Sequence, residues 1–378
     1  MAANRDVAII GGGVIGAAIG WECVRRGLSV TLIDEEPGEG ASSVAAGMLA
    51  PVTELHYGEN DLLAFNLRSA SLFPEWVDEL EEATGSDVGF RRTGTIMVAR
   101  DADEHASLQR VWQHQTSLDL KAERLRGSET ISLEPGLSTR IRSGVLVPDD
   151  HQVDPDALTR ALLRACSDRG VSFVANKVTS LSVEENAVVG LQLNGGEKLA
   201  CRRVVIAAGC RSGEIGGLPN GVVIPVRPVK GQLVELRSPS GTPIIERNVR
   251  GADVYLVPRR DGRLVVGATV EELGFDTTVT AGAVLELLRD AYELVPGVAE
   301  LEVTRLRAGL RPGTPDNAPL IGPLGVDGAF LATGHFRNGV LLAPATALAV
   351  AEMLAEGDAE DVSAFDPRRF DGTSHPAA

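Results

Sequence analysis

Residues 6–34 read DVAIIGGGVIGAAIGWECVRRGLSVTLID, and their pattern decides the fold class. DVAII is a short apolar run rich in β-branched residues, the composition of a buried strand. From Val14 to Gly27 the apolar residues recur at helical spacing. LSVTLID then returns to a strand, so a βαβ unit occupies about 30 residues. Gly11, Gly13 and Gly16 form GxGxxG directly after the first strand. Gly11 allows a tight turn, and Gly13 lets the backbone approach a pyrophosphate. That charge would rest on free amides at the helix start, around Val14 and Ile15, while Gly16 permits close helix–strand packing. Asp34, followed by Glu35, ends the second strand and can accept hydrogen bonds from a ribose. The glycines alone are a weak signal. Strand, helix, second strand and acid in this order mark a dinucleotide site, with NAD and FAD both open.

The rest of the chain repeats and interrupts this pattern. Helices are predicted over 61–83, 103–117, 154–170 and 280–294, the third with Asp154 as N-cap and Pro155 at its first position. Strands are predicted over 171–175, 178–183, 187–193 and 202–209. A β-rich section follows, with KGQLVELR, DVYLVPRR and GRLVVGATV, and then a strand over 301–307. AFLATG forms a last strand, and TGHFRNGVLLAPATALAV (333–350) supplies a last, apolar helix with Arg337 at its mouth. This implies an α/β protein with a Rossmann-like dinucleotide domain built from 1–85, 148–220 and 305–365. A second domain, 86–147 and 221–304, is inserted as an antiparallel sheet, and 366–378 reads as a loose tail.

The chain has 378 residues and a net charge of −16, which argues against a nucleic-acid or anionic-membrane partner. Cys23, Cys166, Cys201 and Cys210 are scattered, without CxxC spacing, and read as reduced thiols rather than a zinc site; no metal is expected. No basic and apolar leader precedes the first strand, and the apolar run after Gly339 is too short for a membrane span of ~20 residues. A cytoplasmic homo-oligomer without a membrane partner is expected.

Two further segments favour FAD. VVIAAG (204–209) matches the late strand that returns beside the adenine in flavoproteins of the two-dinucleotide-binding type. GASSVAAGMLAP (40–51) brings small residues after the acid, where Ser42 and Ser43 can donate to phosphate; a flexible loop is the plainer reading. With AIIGGGVIGAAIG, SSVAAGMLAP, VYLVPRRDGRLVVGAT, AGLRPGTPDNAPLIG and GHFRNGVLLAPAT, the chain resembles, over nearly its whole length, the glycine oxidase branch of the D-amino-acid oxidase-like flavoproteins.

The resemblance implies noncovalent FAD and a residue-by-residue site. Arg311 would pair with the substrate carboxylate, Tyr255 would touch it through its hydroxyl, and Arg337 would be a second active-site arginine. Ala46, Gly47 and Met48 would line the isoalloxazine. Val178, Ala208, Gly209 and His335 would also border the cofactor. The amides of Asn338, Gly339 and Val340 would open the last helix near the flavin's pyrimidine edge. Plainer roles exist for several: a surface arginine at 311, sheet packing at Tyr255, an ion pair between Arg337 and an aspartate such as Asp316, core at Met48, and structure at His335. The chemistry is sound independently. A guanidinium fork suits a carboxylate, each charge-assisted bond contributing roughly 1.5–3 kcal/mol, and a flavin carries the hydride step without a strong protein base.

The implied reaction is oxidation of glycine, other small amines or D-amino acids to the imine. The imine then gives a keto acid and ammonia, and dioxygen is reduced to hydrogen peroxide, with a role in thiamine thiazole synthesis. Departures lie at Val270, where a glycine oxidase can carry methionine, and at Asp253 and Arg211; they leave substrate breadth open. No cysteine follows Cys210, so no C-terminal thiol can tether a flavin. The alternatives are a D-amino-acid dehydrogenase feeding a quinone, for which no basic amphipathic helix is present, and a non-catalytic flavin-binding subunit.

Overall fold

The computed structural model describes residues 6–219, 221–357, 359 and 362–370. Its first sheet has six strands in the order Leu320–Pro323, Ala329–Thr333, Val204–Ile206, Val7–Ile10, Val30–Ile33 and Ser172–Val174. All neighbours run parallel except the first pair. Its central strands are fully buried, as expected of near-continuous apolar runs in a parallel sheet. The first helix, Val14–Arg25, lies between the Pro155–Asp168 helix and the final helix, Ala343–Glu356. Small residues let it sit close: a Cβ on Gly20 would stand 3.3 Å from Cys166 Sγ. Cys23, Cys166 and Cys201 are buried free thiols, and burial pushes Cys23 up to about 12.

The second sheet has eight strands, from Glu302–Gly313 through Arg227–Arg237, Arg263–Gly267, Tyr255–Pro258, Asn248–Arg250, Thr95–Ala99 and Ser143–Val147 to Glu123–Arg126. It is antiparallel but for one pair, Asn248–Arg250 with Thr95–Ala99. That parallel pair joins the two separated stretches expected to share this sheet. A parallel pairing needs a long crossover, and the intervening chain of the first sheet supplies it.

Three sequence expectations change. The strand predicted over 301–307 runs on to Gly313, hydrogen-bonded along Arg227–Arg237, so the boundary expected at 304/305 falls inside a strand. The last helix begins at Ala343 rather than at Asn338; a 3₁₀ turn, Phe336–Asn338, precedes it. The loose tail expected from residue 366 is docked at its start. Residues Pro367–Phe370 form a 3₁₀ turn, Phe370 packs into the core, and Arg369 pairs with Asp316 at 2.9 Å. Residues 371–378 of that expected tail lie outside the described residues. Among the described residues no helix is long and apolar enough to cross a membrane.

Candidate active site

A cleft of about 1590 Å³ runs from the first βα turn to the face of the eight-stranded sheet. At its first end Gly11 has φ +109°, and a Cβ there would stand 2.4 Å from the carbonyl oxygen of Ala207. A Cβ on Gly16 would lie 1.9 Å from Gly11 O, so Gly16 serves packing and does not line the cleft. The first helix has no acidic residue in its first turn. The amides of Gly13 and Ile15 have no hydrogen-bond partner among the described residues, while that of Val14 donates to Ser42 Oγ at 2.9 Å. Free amides at a helix N-terminus beside a close-approach glycine suit a pyrophosphate. Asp34 Oδ2 accepts from the Gly12 amide at 2.6 Å and Oδ1 from Glu36 at 2.9 Å, so this carboxylate also builds the turn. Glu35 is exposed at the cleft wall.

Val178, Ala208 and Gly209 line the same end. Ser42 is buried beside the helix start, but Ser43 turns away and its hydroxyl donates to Gly40 O at 3.0 Å. Ala46, Gly47 and Met48 line the middle of the cleft. Gly47 has φ +76°, and a Cβ there would meet Val153 O at 2.0 Å. The Ala46 carbonyl accepts from buried Arg259 at 2.6 Å, which fixes the segment from behind.

The far end collects the charged residues. Arg311 lies on the edge strand Glu302–Gly313, its guanidinium laid over Gly231, where a Cβ would stand 2.3 Å from Nη1. Nη1 donates to Thr269 O at 3.1 Å, and among the described residues Arg311 has no carboxylate partner. Tyr255 borders the same space with its hydroxyl against Gly267. Arg337 does carry partners, but Asp316 is not one of them. Its Nη2 pairs with Glu59 at 2.8 Å, and its Nε lies 3.5 Å from Glu54. Burial lowers the Arg337 pKa, Glu59 opposes that through its charge and hydrogen bond, and nearby Arg311 adds to it.

His335 is buried with Nε2 3.0 Å from Thr346 Oγ1, and burial pushes its pKa down to about 3, so it is neutral. The amide of Asn338 is spent on His335 O at 2.9 Å, and Asn338 does not line the cleft. Gly339 and Val340 do, and their amides have no partner among the described residues. Val270, 69% exposed, and Asp253 stand at the mouth. Arg250, Glu54 and Glu59 were missed. Arg250 was detectable, because a hairpin over 248–258 sets it directly opposite Tyr255 on the same face.

The description "FAD dependent oxidoreductase" fits residues 6–353. The chain belongs to this family of flavoproteins. Its cofactor is FAD, and the glycine turn, the free amides and the small-residue segment at 46–48 suit it. Glycine oxidase of Geobacillus kaustophilus is 35% identical, covering 99% of this chain and 98% of its own. The crystal structure of that enzyme superposes with a TM-score of 0.89 over 99% of this chain and 100% of the other. The bifunctional protein ThiO/ThiG of Trichormus variabilis is 35% identical over 97% of this chain and 55% of its own length, so the chain spans about half of that relative. Iminodiacetate oxidase from Chelativorans sp. BNC1 matches with a TM-score of 0.87 at 26% identity, covering 96% and 98%.

Proposed function

We propose that this chain oxidises the amine of glycine and other small amino acids to the imine, which water converts to a keto acid and ammonia. The observation that carries this reading is Arg311: a partly buried guanidinium in the cleft with no carboxylate partner among the described residues. Arginine is seldom left so in a protein interior, and its planar fork takes a carboxylate through two parallel bonds. Tyr255 supplies a hydroxyl donor beside it. Together they fix the carboxylate end and orient the α-carbon, which for so small a substrate is most of the protein's contribution. Bound FAD would supply the two-electron acceptor, with dioxygen as the final oxidant and hydrogen peroxide as its product. The free amides of Gly339 and Val340 are donors for negative charge in the cleft. His335, neutral and hydrogen-bonded to Thr346, holds the turn that presents them. The likeness to ThiO/ThiG supports a role for the product imine in thiamine thiazole synthesis.

The test is Arg311→Ala. Losing two charge-assisted bonds, about 3 kcal/mol or more, raises the apparent KM for glycine by two or more orders of magnitude. The yellow absorbance of bound FAD stays. Unchanged glycine kinetics would remove the carboxylate assignment.

A further inference from the structure

At the substrate end of the cleft stand three guanidiniums, on Arg250, Arg311 and Arg337, and Glu54 and Glu59 answer two of them. Glu54 serves two arginines at once: Oε1 pairs with Arg250 Nη1, and Oε2 lies 3.5 Å from Arg337 Nε. Glu59 is fully used, with Oε2 on Arg337 at 2.8 Å and Oε1 accepting from Asn317 at 3.3 Å. Burial lowers the Arg250 pKa to about 10, which leaves it charged at neutral pH. Three positive and two negative charges leave one positive charge, and it stands on Arg311. That balance suits a substrate with one carboxylate.

Glu54 and Arg250 both line the cleft, and Arg250 lies opposite Tyr255 across the sheet. The Glu54 carboxylate already holds the cations in the cleft that the second carboxylate of a dicarboxylic amine would seek. We propose that Glu54 is a specificity-determining residue: it neutralises Arg250 and Arg337 from within the protein, so the site takes monocarboxylic amines and rejects dicarboxylic ones. A second substrate carboxylate would have to displace Glu54 from Arg250 and would meet its charge at close range, and such like-charge juxtaposition is an efficient means of exclusion. The inference rests on the amine-oxidase reading above. It adds that the rejected class is set by one removable charge.

The experiment compares the FAD-loaded protein with its Glu54→Gln variant. Acetate and malonate, neither of which carries an amine, are titrated against the flavin absorbance. Anaerobic bleaching by glycine and by D-aspartate is then timed. In the variant, the malonate dissociation constant falls relative to that of acetate by about tenfold or more, the scale of one close charge pair. D-aspartate bleaching accelerates relative to glycine. Adding Arg250→Gln to Glu54→Gln removes the gain. Equal changes for the two acids, or none, overturn the proposal. Should Glu54→Gln fail to retain FAD, Arg250→Gln alone reads the pair from its other side. Malonate must then weaken relative to acetate, and parallel changes overturn the proposal again. If the unaltered protein is bleached by no small amine, the amine-oxidase reading fails, whereas the acetate–malonate comparison still tests Glu54.

Discussion

His335 shows what a buried titratable group does when it is not catalytic. It is neutral in the folded protein because burial holds its pKa near 3, whereas in the unfolded chain it titrates near the ordinary value of ~6.5. Between those two values the unfolded state binds one more proton, so stability falls as pH falls through that window, by about 1.4 kcal/mol per unit. His335→Gln keeps a group able to reach Thr346 and abolishes the titration. Its stability loss between pH 7 and pH 5, from urea unfolding of the FAD-loaded protein, should be about 2 kcal/mol smaller than that of the unaltered chain. Buried Asp150, raised to about 7 chiefly by burial, imposes the opposite slope, stability falling as pH rises from about 4 to about 7. The comparison must therefore be between variant and parent, not within one curve. At this scale the sequence was a partial guide. That Arg311 and Tyr255 would share a cleft was legible because motif and chemistry coincide. Glu54 and Glu59 were not, because they sit in a stretch without strand or helix periodicity, where nothing local says which distant arginine they face.

Helix starts give a cleaner test of how far local rules reach. Asp101 and Asp154 are both N-caps, each accepting from two amides: Asp101 from Asp103 and Glu104 at 2.9 Å, Asp154 from Asp156 at 3.1 Å and Ala157 at 3.2 Å. Asp101 is exposed, and capping is all it does. Asp154 also pairs through Oδ2 with Arg263 of the eight-stranded sheet at 2.6 Å, a tie between the two sheets. Asp101→Ala should cost about 1 kcal/mol, an ordinary lost cap. Asp154→Ala should cost roughly 2 kcal/mol, because it also removes the inter-sheet partner of the half-buried Arg263, which keeps only its local pair with Asp261 at 2.8 Å and the more distant Glu235. Chemical denaturation of both variants measures the difference, and equal costs would show that the inter-sheet pair contributes nothing. The Asp154 cap was readable from Asp before Pro at the helix start; the Asp101 cap was not read, and the helix expected from 103 begins at Ala102. The start of the final helix was not. Val340 through Leu342 are apolar enough to extend it, yet Pro344 belongs in a first turn, which sets the start at Ala343.

At the scale of the whole molecule, the six-stranded sheet gathers strands from residues 7–33, 172–174, 204–206 and 320–333, the eight-stranded sheet draws on 95–147 and 227–313, and 178–200 form a small three-stranded sheet of their own. The interrupted βαβ pattern made that arrangement legible. The one parallel pair in the second sheet was not, since pairing partners far apart in sequence leave no mark on either strand. Segments of both sheets line the cleft, so bound FAD would contact segments that local unfolding would separate. A ligand bound only by the native state stabilises it by about 2.7 kcal/mol at a hundredfold excess over Kd. The melting temperature of the apoprotein should thus rise with added FAD, by several degrees at that excess and further with concentration. Two variants divide this effect. Gly11→Ala drives a Cβ to 2.4 Å from Ala207 O at φ +109°, moving the strand–helix turn that would hold the pyrophosphate. It should melt lower and respond little to FAD. Arg311→Ala alters the substrate end alone and should keep the full FAD response while losing its hold on glycine. A flat FAD response in Arg311→Ala would mean that the two ends of the cleft are one cooperative unit, and the separation of cofactor and substrate roles argued from their placement would have to be given up.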